Sequence, residues 1–570
     1  MTLHGMRNYL RWASTLALIL LLTTACSAEP RGTSATGAGG TGAGTDIGSI
    51  GGSSNAGGAA AGGMGTGGEG GGSSLGPWCS GWARTAGGSG EEYVAAVTSG
   101  ADGSTYVAGW TYLSDPIFGI GTPLETTLST NATMATFVAK YEIDGTLGWA
   151  TLIDSTDSNG TILPFDMAVA PNGSLIVIGR YWPDALLGAG EVNETLLATP
   201  PSPNTITGLF VASYNANGAI EWVKTAVPPD GSTAAIIEPN GASLGISPNG
   251  DIWVAGRYAG TYTFGVGEPG ATTITTPPGT WQNDAPIFLA KFSADGTFNL
   301  VRRIVSDGQT APPVIAANSS GGVVMRIHVV DALTFDPSGP NETTVPAIVG
   351  YQSTYLADYA SNGGFLGLMR VSGGPTNYHV NDIDLGSDGS LLLTGFVKTQ
   401  VTLAEGTPEE TTIVGTGGGG DILLAKYDPS RTLQWVATAG GDPLAGNDDQ
   451  EGVGGIAATA DGGAVVTGLY TGALTFAAGT PDETNLPSAI GKDFFVARFG
   501  ASGELLHTAH GGGPQDDDGV AIAVAADGGA VIAGIHDGPM TVSWCGGPPE
   551  TLTWSGAHDL FLAKYAPGGP

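Results

Sequence analysis

An all-β chain made of seven four-stranded units is the fold class this sequence predicts, and three patterns predict it. A short apolar element recurs seven times: FVAKY at 137, FVASY at 210, FLAKF at 288, YLADY at 355, LLAKY at 423, FVARF at 495 and FLAKY at 561. A second element, two short strands around a tight turn, also recurs seven times, from AAVTSGADGSTYVAG (95–109) to AIAVAADGGAVIAG (521–534). The third pattern is a displaced strand. The chain stops just after the last FLAKY, while GWARTAGG (81–88) matches QWVATAGG (434–441).

Each element has a physical reason. The turns of the hairpins are Asp-Gly or Asn-Gly in six copies and Ser-Gly in the fourth. Such pairs tolerate the positive φ that two-residue hairpin turns require. The β-branched and apolar residues around them favour strands. Most FVAKY elements are followed by another such turn and a strand, as at Asp144-Gly145 before LGWA. The unit is therefore two hairpins, strands A and B then C and D. At 66–78 residues, the spacing exceeds that of common propeller repeats. The excess lies between B and C and is expected to form excursions on one rim. The fourth unit departs most, with Arg326 where the others have Gly.

The expected architecture is a single seven-bladed β-propeller with four-stranded blades. Its ring is closed by the N-terminal strand 82–86 pairing in the last blade, next to 561–565. Closure removes the open sheet edges that invite aggregation. Cys79 lies just before the borrowed strand and Cys545 lies in the final blade, so a Cys79–Cys545 disulfide is expected to lock the seam. No linker-like stretch interrupts the seven units, which argues against two domains.

The front of the chain reads differently. Arg7 and Arg11 precede a ten-residue apolar run, 13–22, too short to span a bilayer. Residues 1–25 have the form of a lipoprotein signal peptide ending before Cys26, the expected lipidation site, although Thr stands three before it where Leu is favoured. Residues 26–76 form a Gly/Ser/Ala-rich segment that buries too little apolar surface to offset its ordering entropy and is expected to act as a flexible tether. Residues 77–570 are the propeller. A Gly-x-Ser-x-Gly string at 72–76 has no strand before it or helix after it, so it is not a nucleophile turn.

The hairpin, the aromatic-Val-Ala-Lys-Tyr element, the aromatic strand and its Gly-Gly end together resemble the bacterial seven-bladed β-propeller repeat family over residues 81–565. The tether behind a lipobox is similar to that of myxobacterial surface lipoproteins. The resemblance implies the fold and an exported location at the outer membrane or cell surface. It implies no catalytic set, because the shared residues are strand and turn residues.

Charge excludes some functions. With 19 basic and 52 acidic residues, the net charge is −33, which disfavours nucleic acid and anionic lipid surfaces. Acidic strings after strand D supply candidate calcium ligands: Glu91 and Glu92; Asp448, Asp449 and Glu451; Asp516, Asp517 and Asp518. Their spacing matches no EF-hand, and no other cofactor is expected. His507 and His510 are three apart on a strand, which sends them to opposite faces. Trp82, Trp149, Trp222 and Trp435 share one place in strand D and read as blade packing. Trp110, Trp182, Trp281, Trp544 and Trp554 break that pattern and are candidates for ligand stacking. No catalytic residue is assigned. The expected function is a monomeric, non-catalytic surface binding or scaffold lipoprotein whose partner is a protein or polysaccharide. The alternative is a channel-centred enzyme acting on polysaccharide, a lyase or glycosidase.

Overall fold

Two-residue turns with glycine at positive φ set the local structure. Gly103, Gly173, Gly250, Gly389, Gly462 and Gly528 all adopt it between strands A and B. The computed structural model describes residues 76–568, apart from 203–205, 233–234, 278–284, 338–341, 349–351, 375–377, 416–419, 442–450, 481–482 and 545–547. They belong to one compact unit, Gly48–Pro570. The described residues are all-β with no helix, an array of antiparallel sheets with a propeller-like repeat.

In the first repeat, strand A is Glu91–Ser99, B is Thr105–Tyr112, C is Met134–Tyr141 and D is Leu147–Asp154. The seventh repeat has A at Asp517–Val524, B at Ala530–His536 and C at Asp559–Gly568. Its fourth strand is Gly76–Ala86, from the other end of the domain. Trp82 pairs with Lys564, Ala83 with Ala563, Arg84 with Leu562, Thr85 with Phe561 and Ala86 with Leu560. The pairing expected of residues 82–86 is thus present, one residue offset from 561–565.

The A strands succeed one another in contact: Glu91–Ser99, Thr161–Val169, Ile236–Ile246, Val314–Ala317, Tyr378–Leu385, Glu451–Ala458 and Asp517–Val524. The last of these again touches the first.

The long B–C segments differ from expectation. They are hairpins rather than rim excursions, and each joins the sheet of the preceding repeat. Asp184–Leu187, from the second repeat, pairs with strand D of the first, and Thr261–Phe264, from the third, pairs with Ile220–Val227 of the second. The same occurs at Leu333–Phe335, Gln400–Leu403, Thr475–Phe476 and Met540–Val542. At the seam Gly87 bridges to Ile117. The reason is alternation of polar and apolar residues. Phe264, Phe335 and Phe476 are fully buried, while outward threonines pair across the strands, as in Thr263–Thr273 at 2.9 Å and Thr402–Thr412 at 3.1 Å. The hairpins cover part of each D strand's open edge.

The recurrent Lys and Trp are explained by contacts. Lys140, Lys291 and Lys564, with Arg498 in the same place, bury their stems and reach A–B turn carboxylates at Asp102, Asp251, Asp527 and Asp461. The fourth repeat reverses the sign, with Asp358 accepting from Arg431 at 2.8 Å. The strand-D indoles lie on the C–D turn of the following repeat, as expected. Trp82 Nε1 donates to the Ile143 carbonyl, Trp149 to Ala216 and Trp435 to Ala501, each at 3.0 Å. Each turn has a glycine against the indole; a Cβ on Gly218 would lie 2.6 Å from Trp149.

The Gly-Gly end of strand D has a partner of its own. In the last three repeats strand C carries an aspartate six residues before its closing aromatic, at Asp421, Asp493 or Asp559. A Cβ on Gly440, Gly512 or Gly87 would come within 2.6, 2.1 or 2.3 Å of the respective carboxylate oxygen. The glycine is needed because the carboxylate fills the space of its side chain. Gly512→Ala is expected to cost about 1–3 kcal/mol by overpacking. Combined with Asp493→Ala, it is expected to cost less than the sum of the two single changes. Denaturant titration of the four proteins measures the coupling.

Candidate functional site

The densest group of titratable side chains lies where the sixth, seventh and first repeats meet. The D–A turns and the B–C connections share that end of the sheets. Glu92 follows a short turn from strand D of the seventh repeat, and its Oε2 accepts from the Gly88 amide at 2.9 Å. Thr111 Oγ1 donates to its other oxygen at 3.2 Å. Asp517 occupies the equivalent place in the seventh repeat and accepts from the Gly513 amide at 2.6 Å. Asp559 accepts from the Ser555 amide at 2.7 Å and from its hydroxyl at 2.9 Å. Each carboxylate therefore ties down the loop four residues before it.

Burial then shifts protonation. Glu92 and Asp559 are fully buried and Asp517 nearly so. Desolvation pushes Asp517 up to about 8, with the charges of Asp493, Asp518 and Asp537 adding to it. Burial alone lifts Asp493 to about 6. Glu92, Asp559 and Asp518 are raised chiefly by the same cause. The Oδ1 atoms of Asp493, Asp517 and Asp559 have no hydrogen-bond partner, and each is where the proton of a neutral acid would sit. His536 is held low by burial; its Nδ1 faces the Gly538 carbonyl at 2.7 Å and its Nε2 faces Thr85 Oγ1 at 2.9 Å. His558 Nδ1 contacts Asp537 Oδ1.

A second acidic set lies on the A strands. Asp166 accepts from the Leu244 amide at 2.8 Å, Asp382 from Ile456 at 3.0 Å and Asp384 from Ala458 at 2.8 Å. Each clamps the A strand of the next repeat. Asp384 is pushed up to about 7 by burial, and Asp382 well above the usual range, with Asp384 and Asp166 among the charges that raise it. A carboxylate that accepts amide protons from two strands is a structural tie worth about 1.5–3 kcal/mol per bond.

An open cleft of about 420 Å³ lies elsewhere, beside strand D of the sixth repeat, Leu505–Gly512. Trp78 and Trp544 flank it, with His507, Thr508, His510 and Ser543. Trp78 is 5.9 Å from His507 and 5.7 Å from Tyr565, ring centre to ring centre, and Trp544 is 5.0 Å from Tyr565.

The residues singled out from the sequence separate accordingly. Glu91, Glu92, Asp516, Asp517 and Asp518 come together at the seam, but through loop capping and ion pairing. Glu91 accepts from the Tyr93 hydroxyl at 2.8 Å, and Lys492 lies 4.0 Å from Asp516 and 3.9 Å from Asp518. Among the described residues, no three His, Cys, Asp or Glu side chains are placed to share a metal ion. Asp448 and Asp449, the side chain of Glu451, and Trp281 lie outside the described residues, as do Cys26, Cys545 and the side chain of Cys79. Trp110 stacks on Tyr93 at 5.0 Å, Trp182 is half-buried at the end of its strand, and Trp554 is exposed. Of the candidate stacking residues, Trp544 alone lines the cleft. His507 and His510 border it together, because it runs along the strand edge past both faces. Sequence reading missed Asp493, Asp559 and His536. Aligning DILLAKY, DFFVARF and DLFLAKY with their Gly-Gly partners carries the signal for the two aspartates.

No family model matches the chain. An uncharacterized WD repeat-containing protein, L264 of Acanthamoeba polyphaga mimivirus, is 29% identical over 133 residues. The match takes in 22% of this chain and spans 9% of that relative's length. Among solved structures, the chain is similar to a puromycin hydrolase at TM-score 0.35 and 13% identity, over 80% of this chain and 51% of that one. It is also similar to a polysaccharide lyase, PL25 ulvan lyase, at TM-score 0.34 and 11% identity, over 83% and 97%. A Dyadobacter fermentans protein of unknown function gives 0.31 and 11%, over 85% and 99%.

An acid whose folded pKa is raised leaves stability intact at low pH and withdraws it as pH climbs from about 4 toward the folded value. Asp517 therefore destabilises the fold increasingly up to about pH 8. Asp517→Asn is expected to melt with the native protein at pH 4 and about 2 °C above it at pH 8. Calorimetric scans at both pH values give the difference.

Proposed function

We propose that residues 77–570 form a single closed seven-bladed β-propeller, lipid-anchored through Cys26 at the outer membrane or cell surface, that acts as a non-catalytic binding or scaffold module. The observation that carries this reading is the separation of acid chemistry from open surface. Glu92, Asp517 and Asp559, whose protonation is raised, are sealed at the seam and occupied with loop amides, and Asp382 and Asp384 are buried against strand amides, whereas none of the described residues that line the open cleft is a carboxylate. A glycosidase needs paired carboxyl groups that reach its substrate, so that enzyme reading is the weaker one.

Closure is supported by the return of the A-strand contacts to their start and by the shared final sheet. It is also supported by the bond from Trp82 to the Ile143 carbonyl, which joins the seventh repeat to the first. A ring leaves little edge to pair with another copy, which favours a monomer. A Cys79–Cys545 bridge would lock the same seam. Its partner is a protein or a polysaccharide, since a net charge of −33 repels nucleic acid. Calcium binding by the acidic strings is tested by adding calcium to chelator-stripped protein, where a rise in melting temperature measures it.

Anchoring is tested on the full chain by detergent phase partitioning. The native protein is expected in the detergent phase, and Cys26→Ser in the aqueous phase. A native protein found only in the aqueous phase overturns the anchor.

A further inference from the structure

The cleft beside Leu505–Gly512 lies where the pattern of contacts between repeats changes. In five of the other repeats a strand-D side chain packs on the next C–D turn: Trp149 on Gly218, Trp222 on Gly296, Leu300 on Gly363, Trp435 on Gly503 and Trp82 on Gly145; the fourth has Gly367 at this place. His507 holds this place in the sixth repeat, opposite Arg498, as Trp435 is opposite Lys426. Residues 566–568, which follow Tyr565 where the other repeats turn, continue instead as strand. Strand C of the seventh repeat is paired with Gly76–Ala86, to which no turn connects it. Trp78, upstream on that borrowed strand, comes to lie near His507 instead. The contact is looser than a turn glycine under an indole, and the space left over is the cleft.

Its chemistry differs from the rest of the molecule. None of the described residues that line it is Asp, Glu, Lys or Arg, in a chain with 71 such residues, 19 basic and 52 acidic. It offers indole surface together with the hydroxyls of Thr508 and Ser543 and two imidazoles. Two buried polar atoms there have no partner: Nε1 of Trp78, whose side chain is 3% exposed, and Nδ1 of His510. Burial holds the His510 imidazole neutral, so it can both donate and accept.

We infer that this seam cleft binds a neutral saccharide unit of a polysaccharide, with Trp544 as the stacking surface. The proposal rests on the binding-module reading above and names its ligand class. Apolar ring faces suit an indole, and hydroxyls suit uncharged donors and acceptors. A charged sugar would find no counter-ion in the cleft and a strongly negative field around it. A protein partner would be expected to exploit that field with basic residues, which the cleft does not match.

The test uses the full chain in detergent micelles. Isothermal titration and tryptophan fluorescence follow additions of cellohexaose, maltohexaose, mannohexaose and, as the anionic control, hexagalacturonate. Saturable binding of at least one neutral hexasaccharide is expected, weakened about 10-fold or more by Trp544→Ala, the equivalent of about 1.4 kcal/mol. Hexagalacturonate is expected not to bind. If Trp544→Ala disturbs folding, Thr508→Tyr, which fills the cleft without removing packing, is expected to abolish binding while leaving the melting temperature within about 1 °C of the native value. No saturation by any neutral hexasaccharide overturns the proposal, as does binding that survives both substitutions. Preference for hexagalacturonate also overturns it. These outcomes leave partitioning through Cys26 unaffected, so failure of the ligand class is distinguishable from failure of the anchored-module reading.

Discussion

The pairing of Gly76–Ala86 with Asp559–Gly568 is the contact on which the rest of the fold depends, because it joins the two ends of a long chain of repeats. A sheet of three strands would leave Asp559–Gly568 as an open edge beside the first repeat. With the fourth strand in place, Trp82 reaches the Ile143 carbonyl and Arg84 reaches the Gly145 carbonyl at 2.7 Å, both in the first repeat. The seventh repeat is thereby fastened to the first by the strand-D and C–D turn contact used by other repeats. Their last bond is a long-range one, formed between residues more than 470 positions apart in the chain.

The same junction concentrates the chemistry. The seam is where loops and strands from three repeats converge without a continuous chain to order them, and carboxylates supply the missing ties. Glu92, Asp517 and Asp559 each hold a turn by accepting its amide. Their burial raises their protonation, and an unpartnered oxygen on Asp493, Asp517 and Asp559 is accommodated by a neutral acid. Such groups have the shifted acidity of catalytic residues, but their access to solvent is that of core residues. Geometry, not pKa, decides between the two readings. The opening at the seam lies instead beside Leu505–Gly512, where two indoles and two imidazoles are among the described lining residues and none of these carries a carboxylate, Lys or Arg.

Adjacent repeats are also held by parts that sequence inspection assigns to loops. The B–C hairpins belong by sequence to one repeat and by hydrogen bonding to the sheet before it. The second to seventh repeats thus each contribute two strands to the sheet before them, and the first repeat's hairpin touches the seventh through the Gly87–Ile117 bridge. The aspartates on the A strands also join neighbouring repeats, where Asp166, Asp382 and Asp384 accept amides of the following repeat. Adjacent repeats are thus tied through their A strands and through their D strands, where the indoles pack on the next C–D turn.

The sequence by itself determined the four recurrent strands of the repeat, the number of repeats and the displaced fourth strand. These rest on local chemistry: period-two apolar runs, turn residues that tolerate positive φ, and the match between GWARTAGG and QWVATAGG. It also marked the acidic strings at Glu91–Glu92 and Asp516–Asp518 and the outlying Trp544. Only the tertiary structure decided what those residues do. Asp517 became a buried loop cap and Asp518 part of an ion pair with Lys492, because solvent access and partners depend on segments distant in the chain. His507 and His510, on opposite faces of one strand, came to border one cleft because that cleft follows the strand's edge. The role of Asp493 and Asp559 was written in the sequence as a pair of distant facts, a strand-C aspartate and a closing Gly-Gly. Only the register of strands C and D, which brings carboxylate and glycine into the same space, made them one.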